Sequence, residues 1–192
     1  METILISGGN GFLGSYLAEK TLIQGMEVTV VDDLSNNKEI NVPKEVIFRR
    51  MKIEDFSDKK LYDYIVHLAA MPSPEDYIKN PVSNIMSNSI GTFEMLDIAV
   101  KGNAIFMYTS SSEVYGDSQI IPTPETYFGY VNLSSIRSCY DEGKSFSEAF
   151  IMTYYRQYWL DTGYKDLSMF MGPGYARKTL RPCYPTVHRP GS

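Results

Sequence analysis

The chain has 192 residues, 43% of them hydrophobic and 21% charged, the composition of a globular domain with room for a substantial core. Its net charge of −5 argues against nucleic acid or an acidic membrane surface as a partner. Cys139 and Cys183 form neither a disulfide framework nor a metal pattern, and no apolar run is long enough to span a membrane, so a reducing cytoplasm is the expected setting.

Residues 2–7 read as a buried strand and not as a signal peptide, because they lack a basic region and run straight into glycines. Gly8, Gly11 and Gly14 form Gly-x-x-Gly-x-x-Gly, followed by a helical pattern through Leu17, Ala18, Leu22 and Ile23. A strand, a tight turn and a helix N-terminus bring backbone N–H groups and the helix dipole to a pyrophosphate. The glycines alone fit a structural turn equally well, so their context decides. Gly25 ends the helix, and Val28–Val31 reads as a second buried strand. Asp32 closes that strand about twenty residues after the glycines, where an acid binds the ribose hydroxyls of a dinucleotide. An acid there should also repel a 2′-phosphate, which favours NAD over NADP. Asp33 also fits a loop cap.

Residues 35–45 are polar and turn-rich. Val46–Phe48 reads as a third strand, and Tyr64–Ala70 as a fourth that ends in small residues able to let a cofactor approach. His67 on it reads as packed rather than catalytic. Residues 71–77 carry Pro72 and Pro74 and read as a loop. The pattern Ile85, Ile90, Phe93, Leu96, Ile98, Ala99 predicts a long helix from Pro81 to near Gly102. A fifth strand, Ala104–Tyr108, delivers the run from Thr109 to Gly116, and a Pro-containing loop fills 117–136. A second long helix is predicted from about Ser138 to Thr162. Strands alternating with helices predict an α/β fold with a doubly wound parallel sheet in three layers, whose functional loops lie at the C-terminal strand ends.

Tyr140 and Lys144 are spaced i, i+4 and share a helix face. A phenol titrates near ~10, so ionising it near neutrality requires a drop of roughly three units, or ~4 kcal/mol. One ammonium at ~4 Å supplies about that at an effective dielectric of ~20. Tyr140 could then act as a base towards a substrate hydroxyl. Tyr-x-x-x-Lys also arises by chance on many helices. What chance would not supply is its convergence with the glycine turn, Asp32 and the serine-rich strand end at one sheet edge.

Together, the glycine motif, His67-Leu68-Ala69-Ala70, the serine-rich strand end and Tyr140-x-x-x-Lys144 resemble the extended short-chain dehydrogenase/reductase family, Rossmann-like enzymes that modify nucleotide sugars with bound NAD. The resemblance covers roughly residues 1–160. Within that family, the stretches 111–117 and 127–132 and above all Arg137-Ser138-Cys139-Tyr140-Asp141-Glu142-Gly143-Lys144 are similar to the UDP-glucuronate decarboxylases. The resemblance implies cofactor contacts from Gly8, Gly11, Phe12, Leu13, Gly14, Asp32, Leu68, Ala69, Ala70, Asn88, Ser110, Tyr140 and Lys144. It implies substrate contacts from Tyr77, Ser111, Ser112, Glu113 and Arg137, and no metal.

It also implies a chemistry in which Tyr140 removes the C4 hydroxyl proton and Ser111 hydrogen-bonds the same oxygen. Lys144 depresses the phenol pKa and binds the nicotinamide ribose, and Glu113 manages the proton at C5. The dehydratases of dTDP-glucose carry Asp-Glu where this chain has Ser112-Glu113, and the 4-epimerases usually lack the glutamate. The GDP-mannose dehydratases are not separated by that run. Lys52-Ile53 departs from the family, which often has an aspartate contacting adenine there. A nucleotide-sugar epimerase or 4,6-dehydratase, a non-catalytic NAD-binding fragment, and a compact short-chain reductase of small alcohols are the competing readings. The last fits the motifs poorly. The two long helices, 81–102 and 138–162, are expected to pair across a twofold axis as a homodimer.

Residues 1–171 are expected to form the NAD-binding domain, with a sixth strand at 167–171. Residues 172–192 read as an irregular tail without the family's C-terminal substrate domain. Read one base later, codons for that tail can encode a stretch similar to the start of the family's substrate region. The expectation is a frameshifted product that keeps the NAD-binding core, binds NAD weakly at best and shows no measurable decarboxylation.

Overall fold

The computed structural model describes residues 1–158 and Leu160. The expected sixth strand, the end of the second long helix and the tail lie outside the described residues. The elements are β1 (Thr3–Ser7), α1 (Phe12–Ile23), β2 (Glu27–Asp32), β3 (Ile47–Arg50), β4 (Tyr64–His67), α2 (Pro74–Lys79), α3 (Pro81–Gly102), β5 (Ile105–Tyr108) and α4 (Ser138–Tyr158). Short 3₁₀ turns occupy Ile53–Asp55 and Ser112–Tyr115.

The sheet order is β3-β2-β1-β4-β5, and every pairing is parallel. The chain winds outward from β1 to β3, then returns to the other side of β1. The crevice between β1 and β4 is therefore the topological switch point, where open α/β sheets bind ligands. Both faces are covered, which explains the near-continuous apolar strands. Ile4 and Ile6 pack with Val28, Val30, Val66 and Ala18 of α1. Leu5 points the other way, among Val31, Ile65, Phe106, Met95, Leu96 and Ile151. The α/β/α layering follows from this alternation.

One expected loop is a helix. Pro74 stands in the first turn of α2, where a helix N–H has no intrahelical acceptor and the fixed φ of proline suits the helix. Glu75 and Asp76 complement the N-terminal end of the dipole, and Lys79 the C-terminal end. Reading the proline as a break missed this. Ile53, at the position of the missing adenine-contacting aspartate, is a buried core residue.

A polar chain crosses the second core. The Ser7 hydroxyl lies 2.6 Å from His67 Nδ1, and His67 Nε2 lies 3.1 Å from Thr92 Oγ1. Thr92 donates to the Asn88 carbonyl at 2.7 Å and meets Ser147 of α4 at 3.1 Å. With the Thr92 proton committed to Asn88, the network is satisfied when the imidazole donates from Nε2 and accepts from Ser7 at Nδ1. His67 is thus packed, as expected, in its neutral form. Burial, aided by the charge on Lys144, pushes its pKa down to about 3.

That depression has a defined sign. Below the unfolded-state pKa of ~6.5, the unfolded chain takes up a proton that the folded chain refuses, so stability falls as pH drops from there towards the folded pKa. On going from about pH 7 to about pH 5, the native chain should lose roughly 2 kcal/mol more than a His67→Gln variant, measured by urea unfolding. Equal losses would assign the acid sensitivity to another group.

Candidate active site

Gly8 leaves β1 with φ +67°, and a Cβ on it would lie 2.7 Å from the Ala69 nitrogen. A Cβ at Gly14 would lie 2.5 Å from the Gly8 carbonyl oxygen. Only glycine permits this contact between the turn, the first turn of α1 and the end of β4. Gly11 caps α1 in an extended conformation with no side-chain hydrogen bond. The result is a backbone cradle at a helix N-terminus, the surface a pyrophosphate requires.

Asp32 closes the far wall. One carboxylate oxygen accepts from Asn10 N at 3.0 Å and the other from Leu34 N at 2.9 Å. Burial raises its pKa against the pull of these two bonds, with the Asp33 charge adding to the rise. Each oxygen keeps acceptor capacity for a ribose hydroxyl. Asp33 does cap the loop, accepting from Ser35 N at 2.8 Å, and it also lines the cleft.

Between these walls lies a cleft of about 440 Å³. Of the predicted cofactor residues, Gly8, Gly11, Phe12, Leu13, Gly14, Asp32, Leu68, Ala69, Ala70, Ser110, Tyr140 and Lys144 line it, and Asn88 does not. Asn88 is wholly buried at the α3–α4 contact, bonded to Asn84 and facing Gly143. Ser83 and Ser87 provide the α3 wall instead. The glycine cradle and the acid at the end of β2 together fit a dinucleotide.

Asn10 is a site residue that sequence reasoning passed over. Its Nδ2 donates to the Glu39 carbonyl at 2.8 Å and its Oδ1 accepts from Asn41 N at 2.8 Å, pinning the 35–45 loop beside the cleft. A buried asparagine inside the glycine run was the available signal.

Tyr140 and Lys144 share the α4 face as predicted, but not the expected electrostatics. Lys144 is buried, donates to the Thr109 carbonyl at 2.8 Å and lies 4.5 Å from the centre of the Tyr108 ring. Its distance to the Tyr140 ring centre is 5.9 Å. Burial lowers the Lys144 pKa to about 7, while Glu148 pulls it up. Burial also raises the Tyr140 pKa; the Ser111 hydrogen bond lowers it, and the charges of Asp141 and Tyr77 raise it further. In this structure burial is the largest influence on the phenol and raises its pKa, the opposite of the depression expected from Lys144. Helical spacing fixes which face two residues share; it says nothing of their burial.

The remaining predicted residues divide. Ser111 precedes the Ser112–Tyr115 turn, accepts from Glu113 N at 3.3 Å and bonds the Tyr140 side chain. Tyr77 is buried and stacks parallel on Tyr140, centres 5.6 Å apart, so it braces the phenol and does not stand open to a ligand. Ser112 lines neither this cleft nor a second one of about 750 Å³. Glu113 and Arg137 do line the second cleft, joined by a direct ion pair, with Arg137 Nε 3.7 Å from Asp141. Tyr140 in one cleft and Asp141 in the other make the start of α4 their shared wall. Among the described residues no group of His, Cys, Asp and Glu could hold a metal ion.

Comparison with known proteins agrees with this geometry. The chain is 39% identical over 160 residues to UDP-glucuronic acid decarboxylase 1 of Xenopus tropicalis, covering 81% of this chain and 38% of that protein. It is 38% identical over 205 residues to UDP-glucuronic acid decarboxylase 5 of Arabidopsis thaliana, covering 98% of this chain and 60% of the relative. It thus spans less than two thirds of either relative. A crystal structure of UDP-galactose 4-epimerase superimposes with a TM-score of 0.73 at 31% identity, over 83% of this chain and 54% of the other. The sequence matches the NAD dependent epimerase/dehydratase family over residues 4–187. A match of that extent, on a cleft built for a dinucleotide, is decisive: the chain belongs to the NAD dependent epimerase/dehydratase family, and its cofactor is NAD.

Proposed function

We propose that this chain carries the NAD-binding and acid–base machinery of a nucleotide-sugar decarboxylase that converts UDP-glucuronate to UDP-xylose. The observation that carries the reading is the Glu113–Arg137 pair in the second cleft, which shares the start of α4 as a wall with the cleft that Tyr140 lines. It sets a carboxylate for proton work and a guanidinium for an acidic sugar across the α4 wall from the candidate base. The names of the relatives support the same reading.

NAD would be held by the glycine turn, by Asp32 at the adenosine ribose, and by Tyr140 and Lys144 at the nicotinamide end; when bound, it supplies the hydride acceptor and later the hydride donor for C4. The protein's residues do the rest. Tyr140 takes the C4 hydroxyl proton, with Ser111 bonded to the phenol it must relieve. Burial holds the phenol in its acid form, so a positive charge brought beside it is what favours the phenolate, the form able to take the sugar's proton. Once C4 is a ketone, the C5 carboxylate belongs to a β-keto acid and leaves as carbon dioxide, and Glu113 delivers a proton to C5. Tyr140 then returns its proton to the C4 oxygen. Epimerisation or 4,6-dehydration is the alternative, supported by the likeness to an epimerase, and the Glu113–Arg137 pair argues for the acidic substrate.

The test is to supply UDP-glucuronate and NAD to the protein and to its Tyr140→Phe variant. UDP-xylose should form, and Tyr140→Phe should lower turnover by about 10²-fold or more with NAD still bound. Formation of UDP-galactose from UDP-glucose with no UDP-xylose would sink the decarboxylase reading.

Cofactor choice follows from Asp32. Calorimetry should show NAD binding at least about tenfold tighter than NADP, with the gap narrowed in Asp32→Ser. Equal affinities for the native chain would remove Asp32 from the adenosine site.

A homodimer through α3 and α4 is part of the proposal. Phe93 stacks on Phe150 at 6.2 Å, and the aromatic row continues through Phe146, Tyr154 and Tyr158. Phe93 and Phe146 are 41% and 48% exposed, with Val82 and Ile85 also open on α3. Light scattering should return twice the 21.8 kDa chain mass, and the double change Phe93→Glu, Phe146→Glu should halve it. A native monomer at high concentration would count against the pairing.

A further inference from the structure

Lys144 and Glu148 lie one turn apart on α4, and each grips one of two consecutive residues at the end of β5. Lys144 donates to the Thr109 carbonyl at 2.8 Å, and the Ser110 hydroxyl donates to the Glu148 carboxylate. Ser110 lines the cofactor cleft, and Ser111, the next residue, bonds the Tyr140 phenol. The position of Ser110 therefore governs where Ser111 meets Tyr140. Glu148 itself lines neither cleft.

The groups around Lys144 show what Glu148 adds. β5 presents the Tyr108 ring and the Thr109 carbonyl, and β4 the neutral His67. α4 itself presents Tyr140 and Glu148, while α3 faces this region with the uncharged Ser83, Ser87 and Asn88. Tyr108 is pushed towards its neutral form by burial. Glu148 is the carboxylate that opposes the desolvation of the lysine.

We propose that Glu148 is a positioning residue of the site, holding Ser110 at the end of β5 and keeping the buried Lys144 ammonium charged for the cofactor. The proposal rests on the reading of Tyr140 and Lys144 as the NAD-side pair. It gives α4 two roles from one face: Tyr140 and Lys144 meet the ligand, and Glu148 sets the charge and place of what they meet it with. A carboxylate so placed has its own pKa raised by burial and lowered by Ser110 and Lys144.

The test is lysine ¹³Cε NMR on the 192-residue chain, with Lys144 assigned by its loss in Lys144→Met. Glu148→Gln, which can still bond Ser110, should lower the Lys144 titration midpoint by at least about threefold in acid constant. Glu148→Asp, which keeps the charge, should hold it within about twofold. NAD affinity of Glu148→Gln should fall at about pH 8 and recover towards that of the native chain at about pH 6, where the lysine is reprotonated. A merely structural glutamate would lower affinity equally at both. Linkage gives an independent check if Glu148→Gln does not fold: Lys144→Met should raise the Glu148 carboxyl midpoint, read by ¹³Cδ shifts in the native fold. An unmoved lysine midpoint, a pH-independent loss of affinity, or an unmoved Glu148 midpoint in Lys144→Met overturns the proposal. Unchanged NAD affinity in Lys144→Met overturns the underlying cofactor assignment instead, whatever the midpoints do.

Discussion

The site depends on a neutral imidazole. His67 sits at the C-terminal end of β4 with no exposed surface and ties Ser7 of β1 to Thr92 of α3, which meets Ser147 of α4. A hydrophobic residue there would fill the space but take from the Ser7 hydroxyl its side-chain partner and from Thr92 one of its partners. A positively charged one would oppose Lys144, whose field already helps hold the ring neutral. The ring thus links the glycine cradle to the helix that carries Tyr140. Ser7 also accepts from Ala69 N at 3.4 Å, so the network reaches the small residues opposite Gly8.

The same burial shapes the titrating pair. Desolvation is the first cause of the shifts at Tyr140, Lys144 and Glu148, and it drives each towards its neutral form. For the phenol and the carboxylate that means retaining a proton; for the lysine it means losing one. Of the three, Lys144, lowered to about 7, is the group nearest to balance at neutral pH, so a modest change in nearby charge moves its proton first.

Much of this could be read from the sequence, for identifiable reasons. Alternation in β1 and β2, the spacing of Gly8, Gly11 and Gly14, and Asp32 at a strand end are local patterns, and local patterns survive folding. The five parallel strands and both long helices follow from them. What was not legible depends on facing elements. Asn88 lies on a predicted helix, but only the close approach of Gly143 shows that it faces α4 and not the cleft. Tyr77 lies in a segment read as a loop because Pro74 was taken as a break, and its stacking on Tyr140 is a tertiary contact. Glu148 reads as one more polar residue on an amphipathic helix until Ser110 is seen beneath it.

The Arg137 side chain shows how an ion pair can be suited to exchange. Its side chain is 51% exposed and that of Glu113 35%, so water screens their attraction and the pair is not a strong structural bond. Asp141, one turn along α4 and far less exposed, holds Nε from the other side at 3.7 Å, and its Oδ1 has no partner among the described residues. Arg137 therefore stands between two carboxylates, hydrogen-bonded to Glu113 where water screens the pair and facing Asp141 at longer range. Under the proposed function, an incoming sugar carboxylate competes only for the weak contact, while Asp141 keeps the guanidinium oriented. Displacing Glu113 from the pair also leaves its carboxyl group open towards the sugar, where it delivers the proton to C5. Substrate binding and preparation of the proton carrier at C5 would then be one event, driven by the single group that distinguishes an acidic sugar from a neutral one.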